Sequence, residues 1–264
     1  MQGAEFRENL VAPGIWVDTL AQSVGRRAGH QKQNIRIQEI SSMCGRFAQY
    51  GLPSQQRQYF KIANDLDDYP QRFNIAPSQT VPVVQSDDAG NRAFIHARWG
   101  LIPSWVKDPT ELPHPINAKA ETAAIKPMFR QAFRKSRILV PADAFYEWTK
   151  KDGKQPYLIR LRGSDPMGIG GLLESWQGSD GEISTFTILT TEANPLMAKI
   201  HDRMPVIIQP ENFGAWLDHD LTDVDKIQEL IRPYPERLME AYPISRKVNN
   251  PKNDSADLIE QEQV

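Results

Sequence analysis

The chain contains one cysteine, Cys44, within the stretch Met-Cys-Gly-Arg-Phe at residues 43–47. A lone cysteine is more often a small buried hydrophobe than a nucleophile. At the first position of a chain, however, cysteine carries an α-amine with a pKa of about 8 and a thiol with a pKa of about 8.5 on adjacent carbons. The amine can condense with an aldehyde to an imine, and the thiol can then close a five-membered thiazolidine ring. A chain that begins at Cys44 could therefore capture an aldehyde covalently.

Three other polar residues stand among apolar neighbours: Asn117, Glu147 and His201. Glu147 lies between Tyr146 and Trp148, and apolar surroundings raise the pKa of a carboxyl, which then suits proton transfer. His201 titrates near neutral pH and could be a second acid or base. Asn117 cannot ionise, so it could orient an amine or a phosphate. Each also has a structural interpretation, because Asn117 could hold a turn, Glu147 could point outward from an edge strand, and His201 could cap a helix.

These residues belong to seven short motifs that follow one another between Met43 and about Ile259. The motifs are Met-Cys-Gly-Arg-Phe at 43–47, Arg-Phe-Asn-Ile-Ala-Pro at 72–77, Trp-Gly-Leu-Ile-Pro-Ser-Trp at 99–105, Asn-Ala-Lys-Ala-Glu-Thr at 117–122, Phe-Tyr-Glu-Trp at 145–148, His-Asp-Arg-Met-Pro at 201–205 and Val-Asn-Asn at 248–250. In this order they resemble the SOS-response-associated peptidase (SRAP) family, the proteins that crosslink to abasic sites. Any one motif is a weak signal, and the specificity lies in the ordered set.

The resemblance implies a site and a partner. Cys44 is implied to be the crosslinking residue through its α-amine and thiol, and the other active-site positions fall on Asn117, Glu147 and His201. The implied partner is single-stranded DNA that contains abasic sites, in the DNA damage (SOS) response, with no cofactor. The residues implied to line the DNA channel are Arg46, Trp105, Lys119, Trp148 and Arg203.

Three of the implied channel positions have particular chemistry. The family commonly has Arg where Lys119 stands, and Lys keeps the charge but lacks the planar fork that grips a phosphate with two hydrogen bonds. Trp105 and Trp148 could hold unpaired bases by stacking, which tolerates any base sequence. For Trp148, packing in the core is an equal alternative.

The composition is that of an ordinary soluble protein, with 40% hydrophobic and 24% charged residues. The longest apolar runs are far too short to cross a bilayer. The single cysteine fits a reducing compartment, and the five histidines are scattered rather than paired, which argues against a metal site. We therefore expect a cytoplasmic protein, associated with the nucleoid when bound to DNA, that has neither a metal nor a membrane segment.

The net charge of −2 requires any DNA-binding surface to be local. One run of basic residues without an acid fits either a solvated helix face or a phosphate-binding surface. It comprises Lys126, Arg130, Arg134, Lys135 and Arg137. An acidic tail occupies the last eleven residues, with Asp254, Asp257, Glu260 and Glu262.

Residues 1–42 show no sustained periodicity and no signal-peptide pattern. They are interpreted as a disordered extension or a misassigned start, which leaves an organised domain at 43–264. Within it, apolar or alternating runs between turn residues predict strands, and Asp152-Gly153 and Asp180-Gly181 predict hairpin turns. The predicted strands are Thr80–Ser86, Arg92–Leu101, Ile138–Trp148, Pro156–Arg162, Met167–Trp176, Ser184–Thr190 and Met204–Gln209.

Helices are predicted to be fewer and shorter. The spacing of apolar residues over Glu121–Lys135 is close to 3.6, although Pro127 indicates a late start or a kink. Further helices are predicted at Asn194–Ile200, Glu211–Leu217 and Asp223–Ile231. The sum is a single α+β domain with a mainly antiparallel β core, either barrel-like or of packed sheets, and a few short flanking helices.

Two other functions remain open. Cys44 and His201 could form a thiolate–imidazolium pair, with Asn117 as the orienting residue, in a cysteine peptidase or self-cleaving protein. A passive single-strand binder would need only the basic run and the tryptophans. The crosslinking function requires a free α-amine on Cys44, which in this sequence is joined to Met43. Translation could begin at Met43, or residues 1–43 could be cut away, and the first is favoured because residues 1–42 carry so little pattern.

Overall fold

The computed structural model describes residues 44–64, 69–150, 154–163, 165–179 and 181–262. In this part of the chain, turns separate thirteen strands. The strands are β1 (Arg46–Gln49), β2 (Arg72–Ile75), β3 (Thr80–Ser86), β4 (Arg92–Trp99), β5 (Asn117–Lys119), β6 (Arg137–Ala142), β7 (Ala144–Trp148), β8 (Pro156–Leu161), β9 (Met167–Gly178), β10 (Gly181–Glu192), β11 (Arg203–Pro205), β12 (Ile207–Ile208) and β13 (Met239–Pro243).

Five strands close into a barrel. β10, β4, β3, β6 and β9 pair in that order, and β9 returns to pair with β10. The β4–β10 pair is parallel, whereas the other pairs of the ring are antiparallel. A second, antiparallel sheet has the order β13-β8-β7-β1-β2. The predicted fold class, an α+β domain with a mainly antiparallel and barrel-like core, is confirmed.

The helices are short and lie around the two sheets. They are α1 (Pro53–Phe60), α2 (Ala120–Ala123), α3 (Arg130–Lys135), α4 (Phe213–Leu217) and α5 (Val224–Glu229), with 3₁₀ turns at Pro109–Glu111, Met197–Lys199, Pro210–Asn212, Glu236–Leu238, Arg246–Asn249 and Ala256–Ile259. No helix in the described ranges is long and apolar enough to cross a membrane.

The single strand predicted over Ile138–Trp148 is wrong, because the chain changes sheets at Asp143. β6 belongs to the barrel and β7 to the second sheet. The Asp143 carboxylate accepts hydrogen bonds from the main-chain nitrogens of Tyr50 and Gly51, at 2.6 and 2.7 Å, and so fixes the bend. Met204–Gln209 is also divided, but within the barrel sheet, since β11 pairs with β10 and β12 pairs with β9. The first of these breaks brings β7 beside β1.

The helix predicted over Glu121–Lys135, with a late start or a kink at Pro127, is interrupted around that proline. α2 ends at Ala123 and α3 begins at Arg130, and Pro127 lies between them. Proline has no main-chain N–H and disfavours helical geometry in the residue before it, so the helix cannot run through. The helix predicted at Asn194–Ile200 is reduced to a 3₁₀ turn. By contrast, the predicted helix at Asp223–Ile231 is present as α5, with the Asp223 side chain accepting from the first-turn nitrogens.

Arg137 does not belong to an exposed basic surface, because its side chain is only 2% exposed. Its guanidinium instead donates to main-chain carbonyls from three segments of the chain. The acceptors are Trp216 at 2.7 Å, Phe133 at 2.9 Å, Arg134 at 2.7 Å, Leu221 at 3.0 Å and Asp218. Burial lowers its pKa to about 10, and the charge of Asp218 opposes that shift. The planar fork thus joins the ends of α3 and α4 to the barrel.

We expect Arg137→Met to destabilise the protein by at least about 3 kcal/mol, because several buried carbonyls lose their donor at once and each costs about 1–3 kcal/mol. Urea denaturation followed by tryptophan fluorescence measures the change. Arg134→Gln is the matched control, since Arg134 is an exposed cation three residues away. Equal denaturation midpoints for Arg137→Met and the native protein would contradict this role.

Candidate active site

The pairing of β1 with β7 brings Cys44 to Glu147. The register sets Arg46 opposite Tyr146 and Phe47 opposite Phe145, so Cys44, two residues before β1, lies beside the end of β7. The main-chain nitrogen of Cys44 donates to Glu147 Oε2 at 2.9 Å. Both residues are buried, with exposures of 0% and 4%. The carboxyl therefore contacts the α-nitrogen of the cysteine, the atom that becomes an amine if the chain begins there.

Cys44 also has an unusual main-chain conformation. Its φ of 48° lies in the left-handed region. For a residue with a Cβ this conformation costs about 1–2 kcal/mol, and it persists only where the surroundings impose it. The hydrogen bond to Glu147 is one such constraint, so the position of the α-nitrogen is fixed by the fold.

Burial governs the charges of this pair. It raises the pKa of Glu147 to about 7, while hydrogen bonds from the nitrogens of Cys44 and Trp148 and the charge of Lys150 oppose the shift and the charge of Asp202 adds to it. Burial, and secondarily the charge of Glu147, raises the pKa of the Cys44 thiol well above its ordinary value. At neutral pH the thiol is protonated, and the carboxyl can both accept and release a proton.

His201, the second predicted acid–base residue, is also buried, with an exposure of 7%. Burial lowers its pKa, and Asp202 opposes that shift. The Arg203 main-chain N–H lies 3.1 Å from Nδ1 and donates to it only when Nδ1 carries no proton. Asp202 Oδ1 lies 2.8 Å from the same Nδ1 and would accept from it once the ring is protonated. Either protonation state thus has a partner, as a group that transfers protons requires.

Asp202 links His201 to the Glu147 strand. Lys150, just beyond β7, places its Nζ 3.1 Å from Asp202 Oδ2. The charges of Asp202 and Lys150 also act on the pKa of Glu147. The His201–Asp202 turn and the end of β7 therefore form one electrostatic unit. Sequence reasoning missed Lys150 and Asp202, although Asp202 lies inside the His-Asp-Arg-Met-Pro motif.

Asn117 and His201 are carried to the same part of the barrel by β10. Asn117 begins β5 and pairs with Ile188, and β11 pairs with the next residues of β10. Arg203 ties the two segments together, because its guanidinium donates to both carboxylate oxygens of Glu121, at 2.7 and 2.9 Å. It also donates to the Thr190 carbonyl at 2.6 Å. Arg203 is thus largely committed to a protein partner.

Arg46 and Trp148 are held by the Val-Asn-Asn motif near the C-terminus. Arg46 Nη1 donates to the Val248 carbonyl at 2.8 Å and to Asn74 Oδ1 at 2.9 Å. The indole Nε1 of Trp148 donates to Asn249 Oδ1 at 2.7 Å. Asn74 and Asn249 were not predicted as site residues; the signal for both was their place in two of the seven motifs. The segment that follows packs against the sheet, since the carboxylate of Asp254 accepts from the main-chain nitrogens of β2.

The remaining predicted channel residues, Trp105 and Lys119, face solvent. Trp105 is 58% exposed and lies on a loop braced by the β9–β10 hairpin, because Trp176 Nε1 donates to the Val106 carbonyl at 2.6 Å. Lys119 ends β5 and is exposed. Of the five predicted channel residues, these two have free polar or aromatic surface, whereas Arg46, Trp148 and Arg203 already have protein partners.

The geometry defines a class of protein: a small β-barrel protein with a buried cysteine whose own α-nitrogen contacts a buried carboxyl. The electrostatics do not favour a thiolate–imidazolium pair, since burial raises the pKa of the thiol and lowers that of His201. Among the described residues, no three His, Cys, Asp or Glu side chains are grouped as metal ligands.

Comparisons with known proteins identify the family. Residues 43–251 match the family described as SOS response associated peptidase (SRAP). The chain is 43% identical over 223 residues to the abasic site processing protein YoqW of Bacillus subtilis, covering 83% of this chain and 99% of that protein. It is 31% identical over 232 residues to the abasic site processing protein YedK of Escherichia coli, with the same coverage. The chain belongs to the SRAP family.

A solved structure shows the same architecture. A crystal structure of a protein from Bacteroides thetaiotaomicron superposes with a TM-score of 0.75 and 25% sequence identity. The match covers 83% of this chain and all of that one.

Proposed function

We propose that the chain processes abasic sites in DNA by forming a covalent crosslink through Cys44. The contact between Glu147 Oε2 and the Cys44 nitrogen carries the proposal, because it places a carboxyl with a pKa of about 7 on the atom that must lose a proton before it can attack an aldehyde. The names of YoqW and YedK support the choice of an abasic site as the source of that aldehyde.

The chemistry balances with the loss of one water. An abasic deoxyribose opens to an aldehyde at C1′, and Glu147 takes a proton from the Cys44 ammonium. The free amine adds to C1′, the resulting hydroxyl is protonated and leaves as water, and an imine forms. The Cys44 thiol then adds across the carbon–nitrogen double bond, its proton passes to the nitrogen, and the thiazolidine ring closes. This last step is intramolecular, so most of its entropic cost is already met.

The other predicted site residues take supporting roles. His201, when its ring is protonated and Asp202 accepts from Nδ1, donates from Nε2 to the departing hydroxyl or to the sugar ring oxygen during opening, and Asn117 orients the α-amine or a phosphate. The proposed strand is single, as the family resemblance implies. Trp105 and Trp148 stack on its bases, and the cations contact phosphates. The proposed cations are Arg46, Lys119 and Arg203.

The proposed domain is residues 43–264. The crosslinking chemistry requires a free α-amine on Cys44, so Met43 must be removed. Either translation begins at Met43, whose methionine is removed before a small residue, or residues 1–43 are cut away. The proposed location is the cytoplasm, with the protein associated with the nucleoid when it is bound to DNA.

A denaturing gel with an abasic single-stranded oligonucleotide and a peptide substrate tests the function. A protein–DNA band that survives denaturation supports the crosslink. A cut peptide without a crosslinked band identifies a peptidase instead. Neither product, with retention of the same oligonucleotide on a native gel, identifies a passive binder.

Glu147→Gln should slow crosslinking by roughly tenfold to a thousandfold, the loss expected when a general acid or base is removed. The rate of the native protein should fall with pH at a midpoint below the pKa of about 7 that Glu147 has beside the Cys44 amide, because the Cys44 ammonium favours the carboxylate that accepts the proton. In the Glu147→Gln variant, the crosslinking rate should fall only as the Cys44 α-amine becomes protonated, which occurs below its pKa of about 8. Single-turnover rates measured across this range give both effects.

Stability provides the control for this variant. The pKa of Glu147 is about 7 in the folded protein and about 4 in the unfolded chain. Between these values the folded state binds more protons, so burial of Glu147 costs stability that grows as the pH rises to about 7 and persists above it. Glu147→Gln removes that cost, so its Tm at alkaline pH should equal or exceed the native value. A native rate at every pH would remove Glu147 from the mechanism.

A further inference from the structure

Four cations on and beside α3 point into solvent. Phe129, Ala132 and Phe133 are buried and fix the orientation of the helix against the barrel. The exposed residues on its opposite side, here called the basic face, are Lys126, Arg130, Arg134 and Lys135. Arg137, the fifth cation of the run, is buried and is not part of this surface.

Within the described ranges, no acidic side chain pairs with the basic face. Among the residues that the structure describes, none of the four forms an ion pair, although other exposed cations such as Lys150 and Lys247 do. No acid occurs in the sequence between Glu121 and Asp143. Arg130 and Arg134 are four residues apart in α3, and like charges at that spacing destabilise a helix. A cluster that opposes folding, in a chain of net charge −2, indicates an external anionic partner.

The basic face follows the candidate site along the chain and adjoins an acidic surface at its far end. The chain runs from Asn117 through Glu121, which is bound to Arg203, directly into Lys126. At the far end, the carbonyl of Lys135 lies 2.8 Å from Nδ1 of His219. Four acids line the adjoining surface: Asp87, Asp88, Asp218 and Asp220. The positive surface therefore leads away from the site and stops at a negative boundary.

We propose that the basic face binds the phosphates of the DNA that flanks the abasic site. The proposal rests on the function proposed above and names a second contact region for the same substrate. The four side chains end in cations, and the aromatic side chains of this described segment, Phe129 and Phe133, are buried. Without a stacking surface or a base-reading pocket, the contact is electrostatic and indifferent to base sequence.

The test is a variant with Lys126, Arg130, Arg134 and Lys135 all changed to Gln. Binding is measured by fluorescence anisotropy at several salt concentrations, with an abasic strand of about 6 nucleotides and one of about 30, chosen around the usual size of single-strand sites. For the long strand, affinity should fall at low salt, and the slope of log K against log salt should shrink by about 0.7 for each phosphate that is no longer neutralised, or at most about 3 in all. For the short strand both quantities should remain native.

The matched control changes two other lysines and two other arginines to Gln, all exposed and without an ion pair in the described part of the chain: Lys61, Lys226, Arg232 and Arg237. It alters the net charge equally, so it should keep the native affinity and slope for both strands. Equal losses in the two variants, or a native slope in the basic-face variant, would overturn the proposal. Crosslink yield at saturating short strand separates the two proposals, because it depends on Cys44 and should stay native in both variants. If the native protein forms no crosslink, the proposed function fails, and the salt slope still tests the basic face.

Discussion

In the Cys44→Ala variant, the complex of the protein with an abasic strand should no longer survive denaturation. Alanine removes the thiol but keeps the α-amine, so an imine can form and cannot close to the thiazolidine. An imine hydrolyses readily, and the loss of crosslink should therefore be complete within detection. Treatment with borohydride should restore a band, because reduction turns the imine into a stable amine. A denaturing gel with and without borohydride shows both results.

Folding and binding controls accompany this variant. Cys44 is buried, and its replacement by alanine leaves a cavity of about one sulfur atom, which costs on the order of 1 kcal/mol. The Tm should fall slightly, and salt-dependent binding to an undamaged strand should be unchanged. A crosslink of native yield without borohydride would show that another residue forms the bond.

Local patterns allowed much of the sheet structure to be predicted. Thr80–Ser86 is a strand with the predicted bounds, and its pairing with β4 across a five-residue loop follows from alternation and a glycine turn. The strands on either side of Asp180-Gly181 were also predicted, although both extend further and Asp180 lies outside the described residues. Asp152-Gly153 lies outside them too, while the strands that it separates are paired as predicted.

The contact that builds the site could not be predicted from pattern. Cys44 and Glu147 are 103 residues apart and meet because a four-residue strand, β1, inserts beside β7. Neither the pairing of β1 with β7 nor the bend at Asp143 has a local signal, because the hydrogen bonds that stabilise them come from distant segments. Family resemblance selected the residues, and the sheet topology explains why Glu147 contacts the nitrogen of Cys44.

Arg137 is a second residue whose position could not be predicted from the sequence pattern, in this case from the pattern of charges. It stands in a run of five cations, and four of them are exposed. Nothing in the run distinguishes the one that is buried, because its acceptors are carbonyls of α3, α4 and the segment after α4. A charged residue type predicts exposure on average, but a planar donor such as Arg can be buried wherever the fold gathers enough carbonyls around it.

An uncleaved chain of 264 residues should form no thiazolidine with an abasic strand, whereas a protein that begins at Cys44 should crosslink efficiently. In the long chain the Cys44 nitrogen is an amide, which is not basic and cannot form an imine. Intact-mass measurement of the protein from its native cell should show a chain that starts at Cys44. Crosslinking by the two purified forms is then compared on a denaturing gel, with intact mass confirming that the long form is uncut.

One added glycine gives the sharpest control. A protein expressed from Met43 with Gly inserted before Cys44 loses its methionine and keeps a free amine, but that amine now belongs to glycine. The glycine amine can still condense with C1′, yet the Cys44 thiol is now too far along the chain to close a five-membered ring. This variant should therefore give a band only after borohydride reduction, like Cys44→Ala but with its thiol intact. The glycine variant or the uncleaved chain could instead crosslink at the native yield without reductant. In that case the α-amine of Cys44 has no part in the bond, and a thiol-only adduct must replace the thiazolidine.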